Sequence, residues 1–239
     1  MDRNTQTILQ KLVNQWDEVK ATLEKMRGSS IVEPADGYAL FAPTGKKFDN
    51  AVEFELSPVV FNLPERADDI RVELYIVVRG RLIVEFDESK KFLITRGFQT
   101  EAAYFRSTKT GLDHVYGAHY DFAVDELGHP SFHAQMKSFS DFSEYISKYF
   151  GDFNEVEDRV AGILKTVRLP TAQMDFFSFF LQIFADHLLH KESGPEEKLA
   201  FNILLENNSF LRGAAHQIAR LTSEAASVCY RASHWYPII

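Results

Sequence analysis

Ile70-Arg-Val-Glu-Leu-Tyr-Ile-Val-Val-Arg79-Gly80-Arg81-Leu-Ile-Val-Glu-Phe-Asp87 is the stretch that decides the fold. Its β-branched and aromatic side chains alternate with charged ones, and a period of two belongs to a strand, whose successive side chains point to opposite faces. Arg79-Gly80-Arg81 predicts a tight reversal that divides the stretch into two arms, 70–79 and 82–87. Outward from it the same period recurs over 38–42, 52–63, 92–106 and 114–137. Links this short favour consecutive antiparallel pairing, because parallel neighbours need long crossovers. The expectation is an antiparallel meander of five to seven strands between about residues 38 and 137.

On either side of this region the period becomes helical. Ile8, Leu9, Leu12, Val13, Trp16, Val19, Leu23 and Met26 recur at three-four spacing and predict an amphipathic helix over 5–27, ending before Gly28. After Lys137, helices are expected over about 140–149, 154–167, 172–190, a segment opening at Pro195, and 209–231. Thr171 is the expected cap of the third. That third helix carries Met174, Phe176, Phe177, Phe179, Phe180, Leu181, Ile183, Phe184, Leu188 and Leu189 against a narrow polar stripe of Asp175, Ser178, Gln182 and Asp186, so it should be buried on most sides. Elements grouped by type predict an α+β fold: an N-terminal helix, an antiparallel sheet and a C-terminal helical bundle packed on the sheet, all in one domain over 1–239.

A chain of 239 residues can bury a core without a metal or disulfide staple, and its 21 Phe predict an aromatic one. The net charge of −8 disfavours nucleic acid as a partner, since nonspecific affinity for phosphate backbones comes from Lys and Arg. The lone Cys229 excludes an internal disulfide. With no signal-peptide pattern, it predicts a reducing cytosol. No apolar run is long enough to span a bilayer, so no membrane partner is expected. No phosphate loop, dinucleotide fingerprint or GxSxG elbow is present.

Four of the eight histidines fall in His114-Val-Tyr-Gly-Ala-His119-Tyr-Asp121-Phe-Ala-Val-Asp125-Glu-Leu-Gly-His129-Pro-Ser131-Phe-His133-Ala-Gln135. Read as a hairpin, period two puts His119 and Asp121 on one face of the first arm, and Ser131, His133 and Gln135 on the same face of the second. With the turn over 126–130, Asp125 pairs with Ser131, Ala123 with His133 and Asp121 with Gln135. His114 is a residue at the start of a strand and His129 a turn residue. The opposite face, including Tyr120, Phe122, Phe132 and Ala134, should lie under a helix layer. The polar face is either the wet side of the sheet or the floor of a pocket.

Two imidazoles and one carboxylate form a facial ligand set for non-haem iron or a hydrolytic zinc ion. His119-x-Asp121 with His133 resembles the HxD…H signature of the iron-dependent oxygenases over these three residues. It departs from that signature in the fourteen positions between the histidines and in the helical C-terminal half. Without a metal, His119 and His133 can act as an acid and base pair, with Arg168 or Lys137 opposite developing phosphorane charge.

The leading expectation is a soluble cytosolic accessory protein that binds a protein partner or a small polar ligand. No metal ligand is assigned and no cofactor is identified in this reading, and a homo-oligomer is compatible with it. Tyr120, Ser131, Gln135 and Asp186 are its ligand contacts. The alternative is a small hydrolase, either metal-dependent or a His-based phosphodiesterase or ribonuclease, with His119, Asp121, His133 and Arg168 as its catalytic residues.

Overall fold

The structure, a computed structural model, describes residues 1–26, 30–32, 41–48, 50–67, 70–89, 91–122, 130–137, 142, 145–146, 153–154, 167–190, 192–208 and 211–212. Helix α1 (Arg3–Glu24) opens on Asp2, whose carboxylate accepts a hydrogen bond from Thr5 N at 2.9 Å and satisfies one of the free amides of the first turn. Its buried stripe of Ile8, Leu12, Trp16, Val19 and Leu23 is the one the spacing predicts.

Strands β1 (Ser30–Val32), β2 (Phe41–Phe48), β3 (Ala51–Ala67), β4 (Ile70–Asp87), β5 (Phe92–Thr108), β6 (Gly111–Phe122), β7 (Phe132–Met136), β8 (Phe153–Asn154), β9 (Arg168–Pro170) and β10 (Leu211–Arg212) share one sheet. Seven of them follow the antiparallel order β1-β3-β4-β5-β6-β7-β9. β2 pairs with the first part of β3, while β8 and β10 add short parallel pairs to β6 and β5. The class is α+β, as the grouping of elements predicts.

The expected reversal at Arg79-Gly80-Arg81 is absent: β4 runs without a break from Ile70 to Asp87. Gly80 serves close packing instead. A Cβ there would lie 2.5 Å from the Gln99 carbonyl oxygen and 3.2 Å from Phe176 Cδ1, so the missing side chain lets a helix press against the sheet.

That helix is α2 (Phe176–Ile183), continued by a π-helical turn over Phe184–Leu188. It begins later than Thr171. Residues 168–170 extend the sheet as β9, Thr171 N donates to Phe132 O at 3.1 Å, and Asp175 is the cap, accepting from Phe177 N and Ser178 N. α2 is the expected core helix. Phe180 packs on Trp16 and Phe61, with ring centroids 5.4 and 5.3 Å away, and Phe179 packs on Tyr120 at 5.3 Å.

Helix α3 (Pro195–Asn207) starts with proline at its first position, and Glu197 Oε2 accepts from Gly194 N at 2.7 Å. Leu211–Arg212, expected to be helical, instead pair with Leu93 and Ile94, because a buried Leu211 extends the core beside β5. Phe142, Tyr145 and Ile146 are helical as predicted, whereas Asn154, where a helix was expected to open, pairs with Asp113 in β8, and Val167, its expected end, is not helical and leads into β9. The remainder of the helices expected over 140–149, 154–167 and 209–231 lies outside the described residues, as do His129 and Cys229. Among the described residues, no helix is long and apolar enough to cross a membrane.

The sheet is buried unequally on its two sides. The face toward α1 and α2 carries the large core, including Phe54, Phe61, Ile76, Val78, Leu82, Phe98, Ala102, Tyr120 and Phe132. The other face carries a smaller core of Val60, Tyr75, Val77, Ala103 and Phe105, covered by Phe142 and Ile146. Arg79 closes the edge of this second core, its guanidinium 4.5 Å from the Phe142 ring centroid.

Candidate metal centre

Beyond Arg79 the second face turns polar. Directly paired residues of an antiparallel sheet project to the same side, so the registers line up two rows of side chains across the strands. One row runs Glu55, Arg81, Gln99, Asp121 and His133 from β3 to β7. The neighbouring row runs Arg79, Glu101, His119, Gln135 and Arg168 from β4 to β9.

The hairpin register differs from the expected one. Asp121 pairs with His133, where Ala123 was expected, and His119 with Gln135, so the strands slide by two residues; residues 123–129, with the expected Asp125–Ser131 pair and most of the turn, lie outside the described residues. A slide of two keeps every side chain on its face. His119, Asp121, His133 and Gln135 therefore still share a side, while Asp121 and His133 become direct neighbours.

Asp121 lies between the two imidazoles. Its Oδ2 is 3.3 Å from His119 Nε2 and its Oδ1 is 2.8 Å from His133 Nδ1. The rings stand 5.6 Å apart at 77°. His119 and His133 are buried, at 6% and 1% exposure, whereas the Asp121 side chain keeps 31% and faces the opening of the group. Burial pushes the Asp121 carboxyl up, but the two imidazoles outweigh it and hold the group below the usual carboxylate range. Despite the short contact, Asp121 Oδ1 forms no hydrogen bond among the described residues, and neither does His119 Nδ1.

One ligand atom from each of the three residues fits within 4.8 Å of the others. An ion bound at about 2.0–2.2 Å would draw the three atoms closer together than this. Imidazole nitrogen and carboxylate oxygen suit Zn2+, Fe2+ or Mn2+, and three protein ligands leave coordination positions open for water or substrate.

The other residues singled out by sequence distribute over both faces. Gln135 is beside His119, and Arg168 is next in that row, exposed on β9. Ser131 precedes β7, buried at 1% exposure, and its hydroxyl makes no hydrogen bond among the described residues. Tyr120 projects to the opposite face, against Phe179. Burial, then the neighbouring Tyr116, Tyr104 and Asp186, push its phenol far up, so Asp186 belongs to that side as well. Tyr120 and Asp186 are thus brought near each other, across the sheet from the histidines. His114 packs edge-on against Phe105 at 5.3 Å.

Sequence reasoning missed Glu55, Arg79, Arg81, Gln99 and Glu101. The signal was a polar pair at two-residue spacing on each strand, Arg79-x-Arg81, Gln99-x-Glu101, His119-x-Asp121 and His133-x-Gln135. Only the register aligns these pairs into rows. Together with Leu56 and Gly80, these five line a cavity of about 120 Å3 beside the place where β3 bulges between Leu56 and Val59. Comparisons with family models, curated proteins and solved structures return no match to this chain.

Proposed function

We propose that this protein is a divalent-metal-dependent hydrolase whose ion is held by His119, Asp121 and His133. The observation that carries the reading is the meeting of two buried imidazoles with one ionised, partly open carboxylate on adjacent strands. Carboxylates this close to two histidines are also found in hydrogen-bonded clusters. Here the carboxylate keeps 31% exposure between the two buried imidazoles, which leaves one side of the group open to an ion and its water.

A divalent ion with open positions polarises a carbonyl or phosphoryl oxygen and brings bound water toward a neutral pKa. The chain supplies the rest. Asp121 lowers the net charge of the site, and the rigid sheet pairing fixes where the imidazoles stand.

Protein purified without an affinity tag, stripped and titrated with Zn2+, Mn2+ and Fe2+ in a calorimeter, should take up one ion per chain. His133→Ala should weaken that ion by at least about 100-fold, beyond the 10–100-fold that loss of an outer partner costs. Generic ester and phosphodiester substrates should turn over only with metal present. Equal metal affinity in wild type and His133→Ala sinks the centre. Stoichiometric metal without turnover leaves a metal-dependent binding protein.

A further inference from the structure

A buried hydroxyl two residues before His133 has nothing in the chain to bond. Ser131 is 1% exposed, and its Oγ makes no hydrogen bond among the described residues. Other serines, all less buried, do better. Ser89 Oγ and Ser178 Oγ donate to the carboxylates of Asp87 and Asp175 at 2.6 and 2.9 Å. Ser107 Oγ and Ser193 Oγ accept from Glu73 N and His190 N at 3.1 and 2.9 Å. A hydroxyl withdrawn from water without a partner is a net cost to the fold, so the partner of Ser131 is to be sought outside the chain.

The sheet sets this hydroxyl on the side of the ligands. Phe132 belongs to the main core, stacked on Phe98 and Phe122 with ring centroids 6.1 and 4.9 Å away, so its side chain takes the helix-covered face. Backbone pairing continues through it, since Phe132 O accepts from Thr171 N at 3.1 Å. Alternation then turns its two neighbours, Ser131 and His133, to the opposite face, where His119 and Asp121 stand. Residues two apart on a strand are separated by about 6.6 Å. An ion-to-water bond of about 2 Å and a hydrogen bond of about 2.7–2.8 Å from that water span most of this distance. Asp121, 31% exposed, leaves the way in for both ion and water.

Resting on the metal-centre reading, we infer that Ser131 donates its hydroxyl hydrogen to the water at an open position of the ion held by His119, Asp121 and His133. Among the described residues no acceptor competes for that hydrogen. A hydrogen bond given to hydroxide is stronger than one given to neutral water, so the contact favours loss of the water's proton to bulk solvent. The hydroxide left behind keeps the bond from Ser131, which orients its free lone pairs for attack.

The test loads wild type, Ser131→Ala and Ser131→Thr with Co2+, whose visible spectrum reports ionisation of its bound water, and follows that spectrum against pH. Ser131→Ala should bind Co2+ about as tightly as wild type, because Ser131 is not a ligand, while its spectral midpoint rises by about one pH unit. Ser131→Thr, which keeps the hydroxyl, should return the midpoint toward that of wild type. Without metal, Ser131→Ala should melt no lower than wild type, since only an unbonded hydroxyl is removed. A lower melting temperature of the metal-free variant reveals a partner within the chain and overturns the inference. An unchanged midpoint in Co2+-loaded Ser131→Ala also overturns it and leaves the metal centre standing. If wild type takes up no Co2+, it is the metal reading that has failed, and the role of Ser131 falls with it.

Discussion

Asp121 and Asp175 are two buried or half-buried carboxylates with opposite titration behaviour, and each gives a separate test. The folded pKa of Asp121 is lowered below its unfolded value of about 3.9, so its contribution to stability is present above that value and is lost as pH falls through the folded one. In urea melts, the stability difference between wild type and Asp121→Asn should shrink as pH falls below about 4. Asp175 is fully buried, and burial raises its carboxyl although Gln173, Ser178 and two backbone amides donate to it. A raised carboxyl stabilises the fold most when protonated, so its contribution declines as pH rises through the folded value. Asp175→Ala, which removes the α2 cap, should cost about 1–2 kcal/mol at neutral pH. Asp175→Asn keeps the acceptor for Phe177 N and Ser178 N and should cost less; an equal loss would show that charge, not capping, is what matters there.

At the level of elements, periodicity revealed which segments are strands or helices but not where they end or how they pair. The stripe of α1 and the apolar run of α2 were legible because each repeats along one element, and burial follows repetition. Arg79-Gly80-Arg81 was misread because a glycine between charges looks the same whether it turns the chain or admits a neighbour. The reason for Gly80 lies on Phe176 and Gln99, remote in sequence. Gly80→Ala should therefore destabilise the fold by about 1–3 kcal/mol through overpacking, although alanine suits a strand no worse than glycine. An unchanged denaturation midpoint would refute this close approach. The hairpin register was missed for a different reason. Sliding by two residues preserves every face, so alternation alone identifies the members of the site but not its nearest neighbours. His119, Asp121 and His133 were legible as a set, whereas the Arg81 row was not, since it exists only through pairing across β4, β5 and β6.

In the whole molecule, one sheet serves two cores, and the polar rows border the smaller. Phe180→Ala in the main core should cost about 3–5 kcal/mol by chemical denaturation. Phe142→Ala opens the second core and also removes the ring on which Arg79 rests. Its cost should be smaller than that of Phe180→Ala, because the second core is the smaller of the two. The pairing of Asp121 with His133 also bears on assembly of the fold. Two ligands sit on β6 and the third on β7, so an ion held by all three would act as a reversible staple across the hairpin, closing the loop between them and adding stability that grows with metal concentration. Shortening the loop by residues outside the strands would leave the staple in place. Deleting one residue within β7 ahead of His133 would swing that imidazole to the apolar side and abolish it, so the chain's tolerance of insertions and deletions should end where β7 begins.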